Sequence, residues 1–142
     1  MDFQNTLMAF ITVQNTIQAP ISHVWDCWTS EEHITKWNFA SDDWCCPSAK
    51  NDLQVGSEFH YEMASKDGAM SFDFWGTYTN IILEKAIEFT LGDGRKVQIN
   101  FSETPDGVHL VEEFEPENQH PEEMQQAGWQ LILDNFKKHA ES

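Results

Sequence analysis

Three Asp-Gly pairs, Asp67-Gly68, Asp93-Gly94 and Asp106-Gly107, punctuate the chain from its middle onward and constrain its fold more than any other feature. Glycine enters the left-handed backbone region without a Cβ penalty, so Asp-Gly suits the tight turns that join antiparallel strands. Between these pairs apolar and polar residues alternate. The pattern predicts a β-meander with strands over about Glu58 to Ala64, Met70 to Ile82, Ala86 to Leu91, Arg95 to Glu103 and Val108 to Phe114. The period of two turns Phe59, Tyr61 and Met63, then Phe72 and Phe74, then Ile87, Phe89 and Leu91, then Val97, Ile99 and Phe101 towards the core. Glu58, His60, Glu62, Lys96, Gln98 and Asn100 face solvent. A strand from Met70 to Ile82 would span about 40 Å, too long to lie flat over a small core, and Gly76 in its middle is expected to bulge or bend it.

The chain closes on a different period. Pro121 to about Ala140 reads as a helix about 30 Å long. Pro121 suits a first helical position, Glu122 and Glu123 the positive end of the dipole, and Lys137, Lys138 and His139 the negative end. Gly128, Trp129, Ile132, Leu133 and Phe136 gather on one side, opposite Gln126, Gln130, Asp134 and Lys138. At the other end, Leu7 to Ile17 predicts a first strand with Ile11, Val13 and Ile17 on one face and Thr12, Gln14 and Thr16 on the other. Pro20, then Ile21, Val24, Trp25 and Trp28 at helical spacing, predict a short helix with His23 and Asp26 facing away. Ser30, Glu31 and Glu32 open a second short helix that Trp37 closes. From Phe39 to Val55 the pattern is weak, with a strand over Trp44 to Ser48 and a turn at Lys50-Asn51-Asp52. The sum is an α+β fold: a curved, six- to seven-stranded antiparallel sheet wrapped around a long C-terminal helix, with two short helices after strand 1.

At 142 residues, 40% of them apolar, the chain is expected to form a single domain over residues 1–142. No run approaches the roughly 20 apolar residues of a membrane span. Met1 to Asn5 carries no basic residue ahead of an apolar run, so no signal peptide is expected and the expected location is cytoplasmic. Eight Lys plus Arg against 24 Asp plus Glu leave a net charge of −16, which repels phosphate backbones and anionic membrane surfaces and argues against nucleic acid as a partner. Cys27 stands alone, and Cys45 and Cys46 are adjacent, where a mutual disulfide is strained; all are expected to be free thiols.

Spacing also tests the histidines and carboxylates. There is no His-x3-His, His-Glu-x2-His or Cys-x2-Cys, no Gly-x-Ser-x-Gly and no phosphate-cradling glycine loop. No metal or cofactor is expected, and no residue stands out as catalytic. The acidic run Glu112-Glu113-Phe114-Glu115-Pro116-Glu117 reads either as a solvated edge or as a docking face for a basic protein.

The assembled residues resemble the SRPBCC, or START-like, superfamily of helix-grip folds and, within it, the Hsp90-ATPase-activator-like (AHSA1) family. The resemblance covers nearly the whole chain and rests on the order of several short pieces. These are Ile17-Gln18-Ala19-Pro20 before Val24-Trp25-Asp26-Cys27-Trp28-Thr29, then Lys36-Trp37-Asn38, and Asn51-Asp52-Leu53 before Val55-Gly56-Ser57-Glu58-Phe59. Phe72-Asp73-Phe74-Trp75-Gly76-Thr77-Tyr78 and Gly128-Trp129 before Leu133 and Phe136 complete them. Ser57 stands where the family usually has a second glycine. The resemblance implies the fold already derived. It implies function less directly: superfamily members bind lipids, polyketides, aromatic plant products or hormones in a cavity, and a minority are enzymes of cyclase or hydrolase type. The name-giving co-chaperone uses a further N-terminal domain for which this chain is expected to have no room, so an Hsp90-like chaperone is a weaker expectation for a partner than an apolar small molecule.

A sheet that grips a helix can enclose a ligand. The candidate wall residues are Trp25, Trp28 and Trp37 of the short helices, Trp44, Phe59, Tyr61, Met63, Phe72, Phe74, Trp75, Tyr78, Phe89 and Phe101 of the sheet, and Trp129, Ile132, Leu133 and Phe136 on the closing helix. The same side chains could instead fill the core. Gln125 falls on the helix's apolar side near its N-terminus, where it would meet a ligand or cap loop backbone. The hydroxyls of Tyr61 and Tyr78 would reach a ligand or a buried carbonyl.

Overall fold

The computed structural model describes residues 10–142. Strand β1 (Ile11–Ile17) is followed by helices α1 (Ile21–Thr29) and α2 (Glu31–Ile34), then by β2 (Trp44–Asn51), β3 (Glu58–Ser65), β4 (Ser71–Ile82), β5 (Ala86–Leu91), β6 (Lys96–Thr104) and β7 (Gly107–Phe114), and by the closing helix α3 (Glu122–Glu141). The strands form one seven-stranded antiparallel sheet in the order β1-β7-β6-β5-β4-β3-β2. The predicted portion of the first strand over Leu7 to Ala9 lies outside the described residues. At each Asp-Gly turn the glycine takes a positive φ: 77° at Gly68, 94° at Gly94 and 131° at Gly107.

Two irregularities shape the sheet, and neither lies where the sequence suggests. The bulge in β4 falls between Tyr78 and Asn80, not at Gly76. The extra residue, exposed Thr79, reverses the alternation, so that Phe74, Tyr78 and Ile81 all turn inward despite their uneven spacing. Gly76 serves close packing: a Cβ there would stand 2.8 Å from the Thr90 carbonyl and 3.0 Å from the Phe59 ring. Its bare backbone is the seat of Phe59. In β2 the register slips between Cys45 and Ser48, around Pro47, which has no N–H to give to a ladder and sits on the sheet's edge.

The turn expected at Lys50-Asn51-Asp52 is instead the end of β2, because Asn51 is anchored on three sides. Its N–H donates to Glu31 Oε2 (2.7 Å), its Nδ2 to the Thr29 carbonyl (2.7 Å), and its Oδ1 accepts from the Tyr78 hydroxyl (2.6 Å). These bonds tie the short helices to the sheet.

Helix α3 lies along the free edge of β1 and uses its polar flank to close that edge. Gln126 Nε2 donates to the Thr12 carbonyl (3.1 Å), Gln130 Nε2 to the Gln14 carbonyl (3.1 Å) and Lys137 Nζ to the Thr16 carbonyl. Alternate carbonyls of an edge strand thus find partners along one helix flank, which protects the edge from pairing with another chain. Gln126 and Gln130, expected on the solvent face, belong to this seam. The C-terminal half of α3 is seated deeply, with Leu133, Phe136 and Ala140 buried. Phe136 meets Trp28 (ring centroids 4.9 Å apart) and Trp37 (4.8 Å), while Trp25 packs on Phe101 (5.2 Å). Among the described residues no helix is long and apolar enough to cross a membrane.

Candidate functional site

The N-terminal half of α3 sits differently from its C-terminal half. Gln125 is its one buried residue, Met124 is exposed, and Gly128 presents no side chain to the sheet. Beneath it a cavity of about 370 Å³ opens between the helix and the concave sheet. Phe59, Tyr61 and Met63 of β3, Phe74 and Tyr78 of β4, and Ile87 and Phe89 of β5 form its floor. Trp28 and Trp37 close the end under the short helices, and Trp129 and Ile132 form the roof. Trp129 is fixed by stacking on Phe114 (3.8 Å, 11°) and by an edge contact with Phe74 (6.0 Å).

Phe72 reaches the cavity but is 53% exposed, so it belongs to the rim rather than to the inward core expected for it. Six other candidates lie off the wall. Trp25, Phe101, Leu133 and Phe136 are packed into the core beneath the seated part of α3 and at the short helices, which leaves them no exposed face towards the cavity. Trp44 packs beside Phe72 on the outer part of β2 (6.1 Å). Trp75 follows Phe74 in an extended strand and therefore points to the opposite face, where it stacks on His60 (5.4 Å, 5°).

The polar groups of the cavity were for the most part not anticipated. Glu112 lies on the inward face of β7 between Leu110 and Phe114 and is 8% exposed. Burial alone pushes its carboxyl up to about 8, so at neutral pH it is mainly the protonated acid, a hydrogen-bond donor in an apolar chamber. Asn38 is 6% exposed, and among the described residues its Nδ2 finds no hydrogen-bond partner beyond the weakly accepting sulfur of neighbouring Cys46. Asn135 holds the backbone on both sides of it, donating to the carbonyls of Trp37 (2.9 Å) and Phe39 (3.4 Å). Tyr78 donates to Asn51, and burial pushes its hydroxyl up to about 12 and that of Tyr61 well above the usual range, so both stay neutral.

Gln125 caps loop backbone. Its Nε2 donates to the carbonyls of Glu117 (3.0 Å) and His120 (2.8 Å), and its Oε1 accepts from the Glu117 N–H (3.0 Å). The acidic run is likewise absorbed into the fold: Glu112 is buried, Glu113 accepts from Gln98 (2.8 Å), Glu115 from the Lys96 N–H (2.7 Å), and Glu117 from His120 (2.8 Å). Arg95, at the rim, is paired with Asp93 (2.8 Å).

Residues 18–141 match the family described as Activator of Hsp90 ATPase homolog 1-like protein. The chain belongs to the AHSA1 family. An AHSA1-like protein from Aeromonas hydrophila, solved by NMR, is 41% identical to it, with a TM-score of 0.87 over 92% of this chain and 90% of that one. A protein from Cytophaga hutchinsonii is 50% identical, with a TM-score of 0.80 over 91% of this chain and 90% of that one. A protein from Chromobacterium violaceum shares the fold at 20% identity, with a TM-score of 0.84 over 94% and 97% of the two chains. No curated protein matches. For the AHSA1 domain the comparisons establish a helix-grip fold of seven antiparallel strands around a long C-terminal helix, as the sequence resemblance implied.

Proposed function

We propose that this domain binds a small, mainly apolar molecule between the sheet and the first half of α3. The observation that carries the reading is the pairing of an open aromatic chamber with two buried polar groups in its wall, the Glu112 carboxyl and Asn38 Nδ2, the latter with no oxygen or nitrogen acceptor among the described residues. Ligand sites are mostly apolar with a few polar groups that orient the guest, and an unpartnered buried donor is costly unless something fills it. Both groups donate at neutral pH, so they fit a flat aromatic, polyketide-like or lipid-like molecule bearing a carbonyl or other acceptor oxygen.

Gly128 supports the same reading. Glycine inside a helix is destabilising by roughly 0.5–1 kcal/mol relative to alanine, yet a Cβ here would meet nothing within 4 Å. Packing does not demand the glycine, and its missing side chain leaves space in the cavity that it lines. Gly128→Ala is therefore expected to stabilise the fold by about 0.5–1 kcal/mol in urea unfolding. Gly128→Leu, which fills the chamber, is expected to weaken binding of a neutral fluorescent probe such as Nile red at least tenfold while the circular dichroism spectrum is kept. If Gly128→Leu and Phe74→Ala both leave probe affinity intact, the cavity is not the binding site.

A carboxyl with a raised pKa in an apolar chamber also suits proton transfer, so a cyclase- or hydrolase-type activity is the second reading. Glu112→Gln separates the two, since it keeps the shape and hydrogen-bonding capacity for binding and removes the titrating group. A protein contact of Hsp90 type would draw instead on the net charge of −16. Its mark is an association weakened by salt, and absence of any association at low salt would count against it.

A further inference from the structure

On the other side of Trp37 from the cavity, three helices bring together a second set of chemically active side chains. Helix α1 carries His23 and Cys27 one turn apart, α2 carries His33, and the last turn of α3 carries His139. Cys27 Sγ and the nearest ring nitrogens of His33 and His139 all lie within 4.8 Å of one another. Cys27 is fully buried and both histidines are partly buried, so the cluster faces the helix junction rather than open solvent.

We propose that Cys27, His33 and His139 form a zinc-binding site. One thiolate and two imidazoles are a ligand set that zinc favours in tetrahedral geometry, with the fourth position left for water or a further side chain. His23 lies beside the cluster, its Nε2 3.5 Å from Cys27 Sγ and 3.0 Å from the Ala140 carbonyl oxygen.

The hydrogen bonding around His33 has the form expected of a metal ligand. Its Nε2 lies 3.4 Å from the Asp26 carboxylate, and its Nδ1 lies 2.8 Å from His139 Nε2. With the Nε2 proton turned to Asp26, Nδ1 presents a lone pair, and the carboxylate acts as the outer partner that orients a ligating histidine. His139 Nε2 then supplies the proton shared between the two rings. When zinc binds, the Cys27 thiol proton leaves to solvent and His139 shifts its ring proton from Nε2 to Nδ1, so that two neutral imidazoles and a thiolate converge on the ion. Around a tetrahedral zinc with bonds of about 2.0–2.1 Å to nitrogen, the N···N distance opens to about 3.3 Å. The required motion is about an ångström. The bound ion would staple the end of α3 to both short helices, directly behind Trp37, whose Nε1 donates to the Cys27 carbonyl (2.9 Å).

Sequence spacing conceals this site because its ligands come from three helices, with more than a hundred residues between His33 and His139. The one local trace is His23-x3-Cys27, a helical one-turn spacing.

The test is titration of the untagged, chelator-stripped chain with Co2+, followed by Zn2+. The expected result is one equivalent of Co2+ giving a thiolate-to-cobalt charge-transfer band and the intense d–d bands of a tetrahedral site, both bleached by Zn2+. Cys27→Ser is expected to remove the charge-transfer band, His139→Gln to weaken binding at least tenfold, and the double change Cys45→Ser with Cys46→Ser to leave the spectrum intact. No charge-transfer band from folded wild-type protein would overturn the proposal. So would a band that survives in Cys27→Ser and disappears with Cys45 and Cys46. If Cys27→Ser does not fold, the partly exposed His139 carries the test, and unchanged affinity in His139→Gln would overturn it equally.

Discussion

Replacing Phe59 by alanine is expected to destabilise the domain by about 3–5 kcal/mol, the range for removing a fully buried phenylalanine. Phe59 is 1% exposed, and its ring meets Tyr61 (4.7 Å), Phe89 (4.8 Å), Tyr78 (5.4 Å) and Phe74 (5.9 Å). The void left behind would merge with the neighbouring cavity, and strands β3, β4 and β5 are held apart by their own ladders, so the site cannot collapse to recover the loss. Phe72→Ala on the neighbouring strand β4 provides the contrast: at 53% exposure it is expected to lose about 1 kcal/mol or less. Urea unfolding of the two variants measures both. A loss below about 1 kcal/mol for Phe59→Ala would mean that this ring is not the keystone of the cavity floor.

The second large effect is a change in the pH dependence of stability. The ordinary glutamate value is 4.5, and burial raises that of Glu112 to about 8. Between those values the native chain keeps a proton that the unfolded chain has released, so this group's contribution falls as pH rises through the window and levels off above pH 8. At about 1.4 kcal/mol per unit the full loss is on the order of 3–5 kcal/mol. Glu112→Gln has no such dependence. Relative to wild type the variant is expected to gain several kcal/mol between pH 5 and pH 9. Asp67, Glu117 and Glu141 are held below the usual carboxylate range by hydrogen bonds, and their opposite contributions, lost as pH falls, cancel in the comparison. Parallel stability profiles for the two proteins would show that Glu112 is solvated.

Those two residues mark how far the sequence is readable. Phe59 is legible: it sits in a clean alternation with Tyr61 and Met63, bounded by a recognisable turn, and periodicity reports faithfully on strands with one buried face. The bounds of β5 and the wrapping of the sheet around α3 follow from the same signals. Glu112 is also inward by that period, between Leu110 and Phe114, but the acidic run that follows it carries the charge pattern of a solvated edge and masks the alternation. Trp75 shows the reverse error, since aromatic character suggests the cavity while alternation places it outside with His60. The β4 bulge at Thr79 has no signature because its cause is pairing with β5 rather than local propensity. Asn38 and the His33–His139 pair depend on which helices meet, information that lies in the tertiary arrangement and not in any window of sequence.

Whether the space between the sheet and α3 takes an apolar guest is measured by a two-dimensional amide NMR titration with flat aromatic and lipid-like compounds. Saturable shifts centred on Asn38, Phe59, Phe74, Glu112 and Trp129 are expected from at least one compound class, reduced in Gly128→Leu. Shifts confined to the convex face around His60 and Trp75, or no saturable shift from any class, would contradict the proposed binding.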